Sequence, residues 1–124
     1  MNNPVKFTIA IASAIAVQGL MPNIALADYG AIAYSRNTGR WGASWQQLYS
    51  SLARDTAVRY CDRRDCVVEA LIENTCGALA RKRNNTQVVA TGFSDRRDQA
   101  GNRALQACGS DCQLVTTVCS NSDN

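Results

Sequence analysis

The chain has 124 residues, 46% of them hydrophobic, with 13 Lys/Arg against 10 Asp/Glu, six cysteines and no histidine. That size fits a single small domain. The missing histidine excludes Ser-His-Asp and Cys-His catalysis and His-ligated metals. The near-even charge falls short of the clustered basic footprint of a nucleic-acid partner.

The first element reads as a targeting segment. A short polar start holds one charge, Lys6, and residues 7–20 form a 14-residue, mostly apolar run before the small-residue site Ala25-Leu26-Ala27. This is the pattern of a secretory signal peptide over 1–27, cleaved before Asp28. A membrane anchor is the other reading, but the run is shorter than the roughly 20 residues a bilayer span needs. The remaining 28–124 keeps 12 Lys/Arg and 10 Asp/Glu, a net of +2. It reads as one domain, secreted or periplasmic, without a further membrane span.

That domain says nearly the same thing twice. YGAIAYSRNTGRWGASW at 29–45 is echoed by CGALARKRNNTQVVATG at 76–92, an offset of 47. Gly30, Ala31, Ala33, Arg36, Asn37 and Ala43 meet Gly77, Ala78, Ala80, Arg83, Asn84 and Ala90. Ala53, Ala57 and Cys61 meet Ala100, Ala104 and Cys108, and after one deletion Asp65-Cys66 meets Asp111-Cys112. Copy one spans 29–74 and copy two 76–120.

Each copy reads as strand, turn, strand, helix, strand. The strand at 29–35 alternates Ala31 and Ala33 with Ile32 and Tyr34. The turns at 36–39 and 83–86 carry the Asn and Gly that tolerate left-handed backbone. The second strand sets Trp41, Ala43 and Trp45 on one face, matched to Val88, Ala90 and Gly92. The helix repeats Tyr49, Leu52, Ala53, Thr56, Ala57 and Tyr60 as one buried stripe; its counterpart keeps Ala100, Ala104 and Ala107. Closing strands are expected at 66–73 and 112–119. A copy of about 45 residues is too small to hold a core alone. The expected fold is therefore α+β: two duplicated strand-strand-helix-strand units packed about a pseudo-twofold axis, sheets joined and helices alongside.

Six cysteines in a small exported domain read as three disulfides. The repeat selects a pairing: Cys61–Cys66 and Cys108–Cys112 occupy equivalent places, which leaves Cys76 with Cys119. Four-cysteine zinc is the rival, disfavoured by an export signal. No metal or cofactor is expected.

Candidate chemistry is limited to carboxylates and arginines. Glu69 and Glu73 lie on one strand roughly 13 Å apart, beyond the roughly 5–9.5 Å of glycosidase pairs. Asp65 and Asp111 read as turn formers. Arg81, Lys82 and Arg83 are a candidate anion patch. Six of the seven aromatics beyond residue 27 fall in copy one. They are either an asymmetric core or a binding platform of Trp41, Trp45 and Tyr34 with Arg36 and Arg40, residue types enriched at interaction hot spots.

The YGAIAYSRNTGRWGASW opening, the Asp65-Cys66 step and the Asn74-x-Cys76-Gly77-Ala78-Leu79-Ala80 junction resemble the bacterial domain of unknown function 4189 across 29–119. Members often carry an aromatic before the Asn-x-Cys step, where this chain has Leu71-Ile72-Glu73. The resemblance implies a small exported bacterial domain with an accessory or interaction role, and supplies no catalytic residues. The expectation is an exported, non-catalytic module binding a protein or cell-envelope component, in an effector, inhibitor or immunity-type role. The alternative is a small histidine-free hydrolase of a wall or glycan polymer using Asp or Glu.

Overall fold

The computed structural model describes residues 27–121. The expected signal segment lies outside the described residues except for Ala27. Eight elements follow in order: β1 (Tyr29–Tyr34), β2 (Trp41–Gln47), α1 (Ser50–Cys61), β3 (Val67–Glu73), β4 (Cys76–Lys82), β5 (Asn85–Ser94), α2 (Arg97–Cys108) and β6 (Cys112–Cys119). The strands make two antiparallel sheets, ordered β2-β1-β3 and β5-β4-β6.

Alternation along the central strands builds four layers. In β1, Ala31 and Ala33 turn outwards onto Ala53, Ala57 and Cys61 of α1. Ile32 and Tyr34 turn inwards to join Ala70, Ile72, Leu79 and Val118. In β4, Ala78 and Ala80 turn outwards onto Ala100 and Ala104 of α2, while Leu79 enters the shared core. The order is helix, sheet, sheet, helix, with the large aliphatic side chains between the sheets and alanine under each helix. The sheets are two separate ones stacked face to face, where the sequence suggested joined sheets. Two separate apolar inner faces bury each other, as sheet packing requires.

Alanine lets the helices lie close, and glycine closer still. A Cβ on Gly42 would stand 2.3 Å from the Ala57 carbonyl oxygen and the Cys61 nitrogen. One on Gly92 would stand 2.3 Å from the Ala104 nitrogen. This close approach explains why the expected helix stripe is narrower than its periodicity implied. Ala53, Ala57 and Cys61 are buried, but Tyr49, Leu52 and Tyr60 are exposed. In α2, Ala100, Gly101 and Ala104 are buried and Ala107 is exposed.

The units share details below the level of element order. Each closing strand carries one irregularity: pairing steps from Ala70 to Val68 opposite Ile32/Ala33, and from Thr116 to Leu114 opposite Leu79/Ala80. Glu69 and Val115 are the residues passed over. Each helix ends on a residue with positive φ, Asp62 at 59° and Gly109 at 99°.

The β2 register corrects the sequence alignment. Ala43 lies opposite Ile32 and Thr91 opposite Leu79, so Ala43 answers to Thr91, not Ala90. Gly42, opposite Ala33, answers to Ala90, opposite Ala80. The first hairpin is one residue shorter, and the strand recovers the residue in a bulge beside Trp45, where Gln46 takes φ 55°.

Three disulfides staple the fold: Cys61–Cys66, Cys76–Cys119 and Cys108–Cys112. All six cysteines are used, so none offers a thiolate to zinc. The units are also tied at both ends. At one, Thr86 Oγ1 donates to the Arg36 carbonyl at 2.6 Å and Gln87 Nε2 to Asn37 Oδ1 at 3.0 Å. At the other, the Gln46 N–H donates to the Ser120 carbonyl at 2.8 Å and the Ser120 N–H to that of Thr75 at 2.9 Å.

Candidate binding edge

The exposed aromatic side chains gather along β2, an edge strand. The Ser35 N–H donates to the Arg40 carbonyl at 2.8 Å. Antiparallel alternation then directs the polar backbone groups of Gly42 and Ser44 towards β1, and those of Trp41 and Ala43 towards the open edge. Ser44 is held from the helix side, its Oγ donating to the Ala53 carbonyl at 2.7 Å.

A groove of about 490 Å³ runs along this edge. Trp41 and Trp45 line it beside the backbone of 42–44, with Gln47, and Thr56 and Tyr60 of α1 close the far side. Trp41 is 44% exposed, Trp45 41% and Tyr60 68%. Beyond Thr56 the stripe continues with the exposed Leu52 of α1 and Tyr49 at its N-cap, and Leu48 adds a further exposed apolar side chain. Residues 41–52 carry no charge. The aromatic surplus of the first unit is largely a surface.

The proposed platform is only partly assembled. Trp41 and Trp45 are on it. Tyr34 is fully buried between the sheets, its hydroxyl donating to the Thr86 carbonyl at 2.9 Å. Burial raises the Tyr34 pKa, against Arg81 and Arg36, which lower it. Arg36 turns to the Glu69 carboxylate at 3.0 Å, and that hydrogen bond raises its own pKa. Arg40 flanks the Trp41 end, its Nε donating to the Cys61 carbonyl at 3.4 Å with Asp62 at 3.8 Å. Tyr60 and Thr56, which the helical period assigns to a buried stripe, belong to the groove. The surplus of large side chains over what the alanine seam accommodates was the signal that could have found them.

Arg81, Lys82 and Arg83 do not converge. Strand alternation sends Arg81 inwards to Tyr34 and Lys82 to the opposite face, where it donates to the Ser110 carbonyl. Arg83 lies at the hairpin, 3.8 Å from Asp111. The carboxylates are likewise dispersed. Glu69 is paired with Arg36, and Asp65 accepts from Ser35 Oγ at 2.7 Å and the Asn37 N–H at 3.3 Å. None of the four grooves described is lined by two carboxylates. Among the described residues no cluster of three His, Cys, Asp or Glu is placed to hold a metal. No described helix is long and apolar enough to cross a membrane.

The comparisons agree with this geometry at the level of fold and family. No curated protein sequence matches the chain. Among solved structures, the NMR structure of Rv1813c from Mycobacterium tuberculosis matches with a TM-score of 0.58 and 25% identity, over 80% of each chain. Residues 29–119, which hold all eight elements and all three disulfides, match the domain of unknown function DUF4189. The chain belongs to the DUF4189 family.

Proposed function

We propose that this is an exported bacterial interaction module, secreted or periplasmic and non-catalytic, which takes an extended segment of a protein along β2. The carrying observation is the open β2 edge, where the outward N–H and C=O groups of Trp41 and Ala43 lie between two half-exposed tryptophans and Tyr60. Strand addition uses such parts: the backbone supplies affinity and flanking side chains supply choice. The three disulfides suit an oxidising compartment, where a domain with this alanine-rich core gains from staples. The matched irregularities at Glu69 and Val115 and the matched helix ends support descent of the two units from one duplicated segment. On that reading, the second unit is the scaffold and the first has acquired the binding side chains.

The test is crosslinking and affinity capture with oxidised 28–124 against envelope extract and culture supernatant, beside a Trp41→Ala/Trp45→Ala variant. A stoichiometric partner lost with the tryptophans supports the reading. A partner retained by the variant moves the site elsewhere. Turnover of a wall or glycan polymer, abolished by a carboxylate substitution, would replace this reading with the hydrolase.

A further inference from the structure

We infer that the segment received at the β2 edge is β2 of a second copy of this chain, so that two protomers pair antiparallel and continue one sheet into the other. This rests on the reading of β2 as a strand-accepting edge, and adds the identity of the occupant.

The strand is complementary to itself. Trp41 and Trp45 lie symmetrically about Ala43, and Trp41 and Ala43 direct their backbone groups outwards. An antiparallel pair centred on Ala43 sets Trp41 of each copy opposite Trp45 of the other, an aromatic cross-strand pair made twice. A twofold axis through that centre, normal to the sheet, keeps both α1 helices on the same face. Tyr60 of one copy then approaches the Tyr49–Leu52 end of the other. Such an isologous contact needs one patch that matches itself.

Charge and area favour the same occupant. A surface that meets its own copy opposes its own charges, and residues 41–52 have none. The exposed parts of Trp41, Trp45, Tyr49, Tyr60, Leu48 and Leu52 amount to on the order of 600 Å². That approaches the roughly 800 Å² per partner of a standard interface, and predicts a weak, reversible dimer.

The second sheet is treated differently. Arg103 donates to the Phe93 carbonyl of β5 at 2.6 Å, Arg36 to the Gln87 carbonyl of β5 at 3.3 Å, and Arg97 to the Thr117 carbonyl of β6 at 2.8 Å. Cations laid over the carbonyls of edge strands oppose pairing with another chain. Among the described residues no Lys or Arg side chain caps a β2 carbonyl; Trp45 receives only Gln47 Nε2, at 3.1 Å.

The test is sedimentation equilibrium of oxidised 28–124 up to about 1 mM, with hydrogen exchange of the Trp41 and Ala43 amides at both ends of the concentration range. The expected result is a monomer–dimer equilibrium in which those two amides gain protection as dimer forms. Ala43→Pro removes an N–H that β1 does not use, as edge strands tolerate, and should weaken the dimer at least tenfold. Trp41→Lys, at an exposed position, should do the same and serves if Ala43→Pro fails to fold. A dimer indifferent to both variants, or one without amide protection, overturns the inference. A monomer throughout overturns it too. If that monomer still captures a foreign protein through Trp41 and Trp45, the proposed function survives; if its capture ignores them, both fall.

Discussion

Tyr34 and Arg81 hold matching places in the two central strands, and they meet between the sheets at the hairpin end of the molecule. Tyr34 lies opposite Trp41 and Val67 in its sheet, as Arg81 lies opposite Val89 and Gln113 in the other. The Arg81 guanidinium lies near the phenol and lowers its pKa, and both groups come within 4 Å of where a Cβ on Gly39 would stand. Where two like units face each other, identical side chains would collide or leave a void. A ring and a cation meet there instead, and the phenol hydroxyl is satisfied by the Thr86 carbonyl at 2.9 Å.

The pair should carry measurable stability. Tyr34→Phe keeps the ring but leaves the Thr86 carbonyl without its partner. The expected loss is about 1–3 kcal/mol, the range for unsatisfied buried polar groups. Tyr49→Phe, on a 63% exposed side chain, should stay within about 0.5 kcal/mol. Urea unfolding of both variants at neutral pH makes the comparison. Equal stabilities would show that the phenol hydroxyl contributes nothing to joining the units.

The glycine contacts yield a second prediction. Gly42→Ala and Gly92→Ala each put a methyl group into helix backbone, at 2.3 Å from the nearest atom. Backbone cannot rotate aside as a side chain does, so each helix must lift from its alanine seam. Overpacking of this kind costs roughly 1–3 kcal/mol. Thermal unfolding with near-UV circular dichroism would register it, and a wild-type midpoint for both variants would mean that the helices ride higher than described.

These contacts also show where sequence reasoning reached its limit. Alternation of small and large residues in β1 and β4 was legible, because each central strand is buried on both faces and the two faces demand different volumes. Element order was legible for the same reason. The stacking of the sheets was not, since alternation says which residues share a face and not which face meets which. Half of the groove was legible: residue type points to Trp41 and Trp45, but also to Tyr34, whose inward position follows from its phase with Ile32. Tyr60 was missed because a 3.6-residue period does not report how wide a seam the partner sheet offers. Alanine on β1 and Gly42 on β2 narrow that seam and leave the large residues outside.

Disulfide removal should separate the staples by loop length. Cys76–Cys119 spans 43 positions, against 5 and 4 for Cys61–Cys66 and Cys108–Cys112. Chain entropy assigns roughly 4 kcal/mol to the long loop and roughly 2 kcal/mol to each short one. Cys76→Ala/Cys119→Ala should therefore lower the urea midpoint about twice as far as either local pair. These cysteines are also cross-strand neighbours that join β4 to β6, so the variant should fray the C-terminal strand first in hydrogen exchange. A larger loss from either local pair would show that helix ends, not chain closure, dominate the contribution.

Asp65 provides a pH signature for the first hairpin. Its pKa is lowered chiefly by the hydrogen bond from Ser35 Oγ, with help from the Asn37 N–H and Arg63, against a desolvation cost. Ser35 is itself buried and accepts from the Thr38 N–H and hydroxyl, so the carboxylate anchors the turn through it. A depressed carboxylate pKa stabilises the fold fully above its unfolded value, and that contribution disappears as pH falls through the lower folded value. The thermal midpoint of Asp65→Asn should therefore trail wild type by a constant gap at neutral and mildly acidic pH. The gap should narrow below about pH 4, where the carboxylate of the unfolded wild-type chain begins to protonate. A gap that persists unchanged to about pH 2 would show that shape, not charge, holds the turn, since protonation of the unfolded chain alone would already have narrowed a gap that rested on the charge.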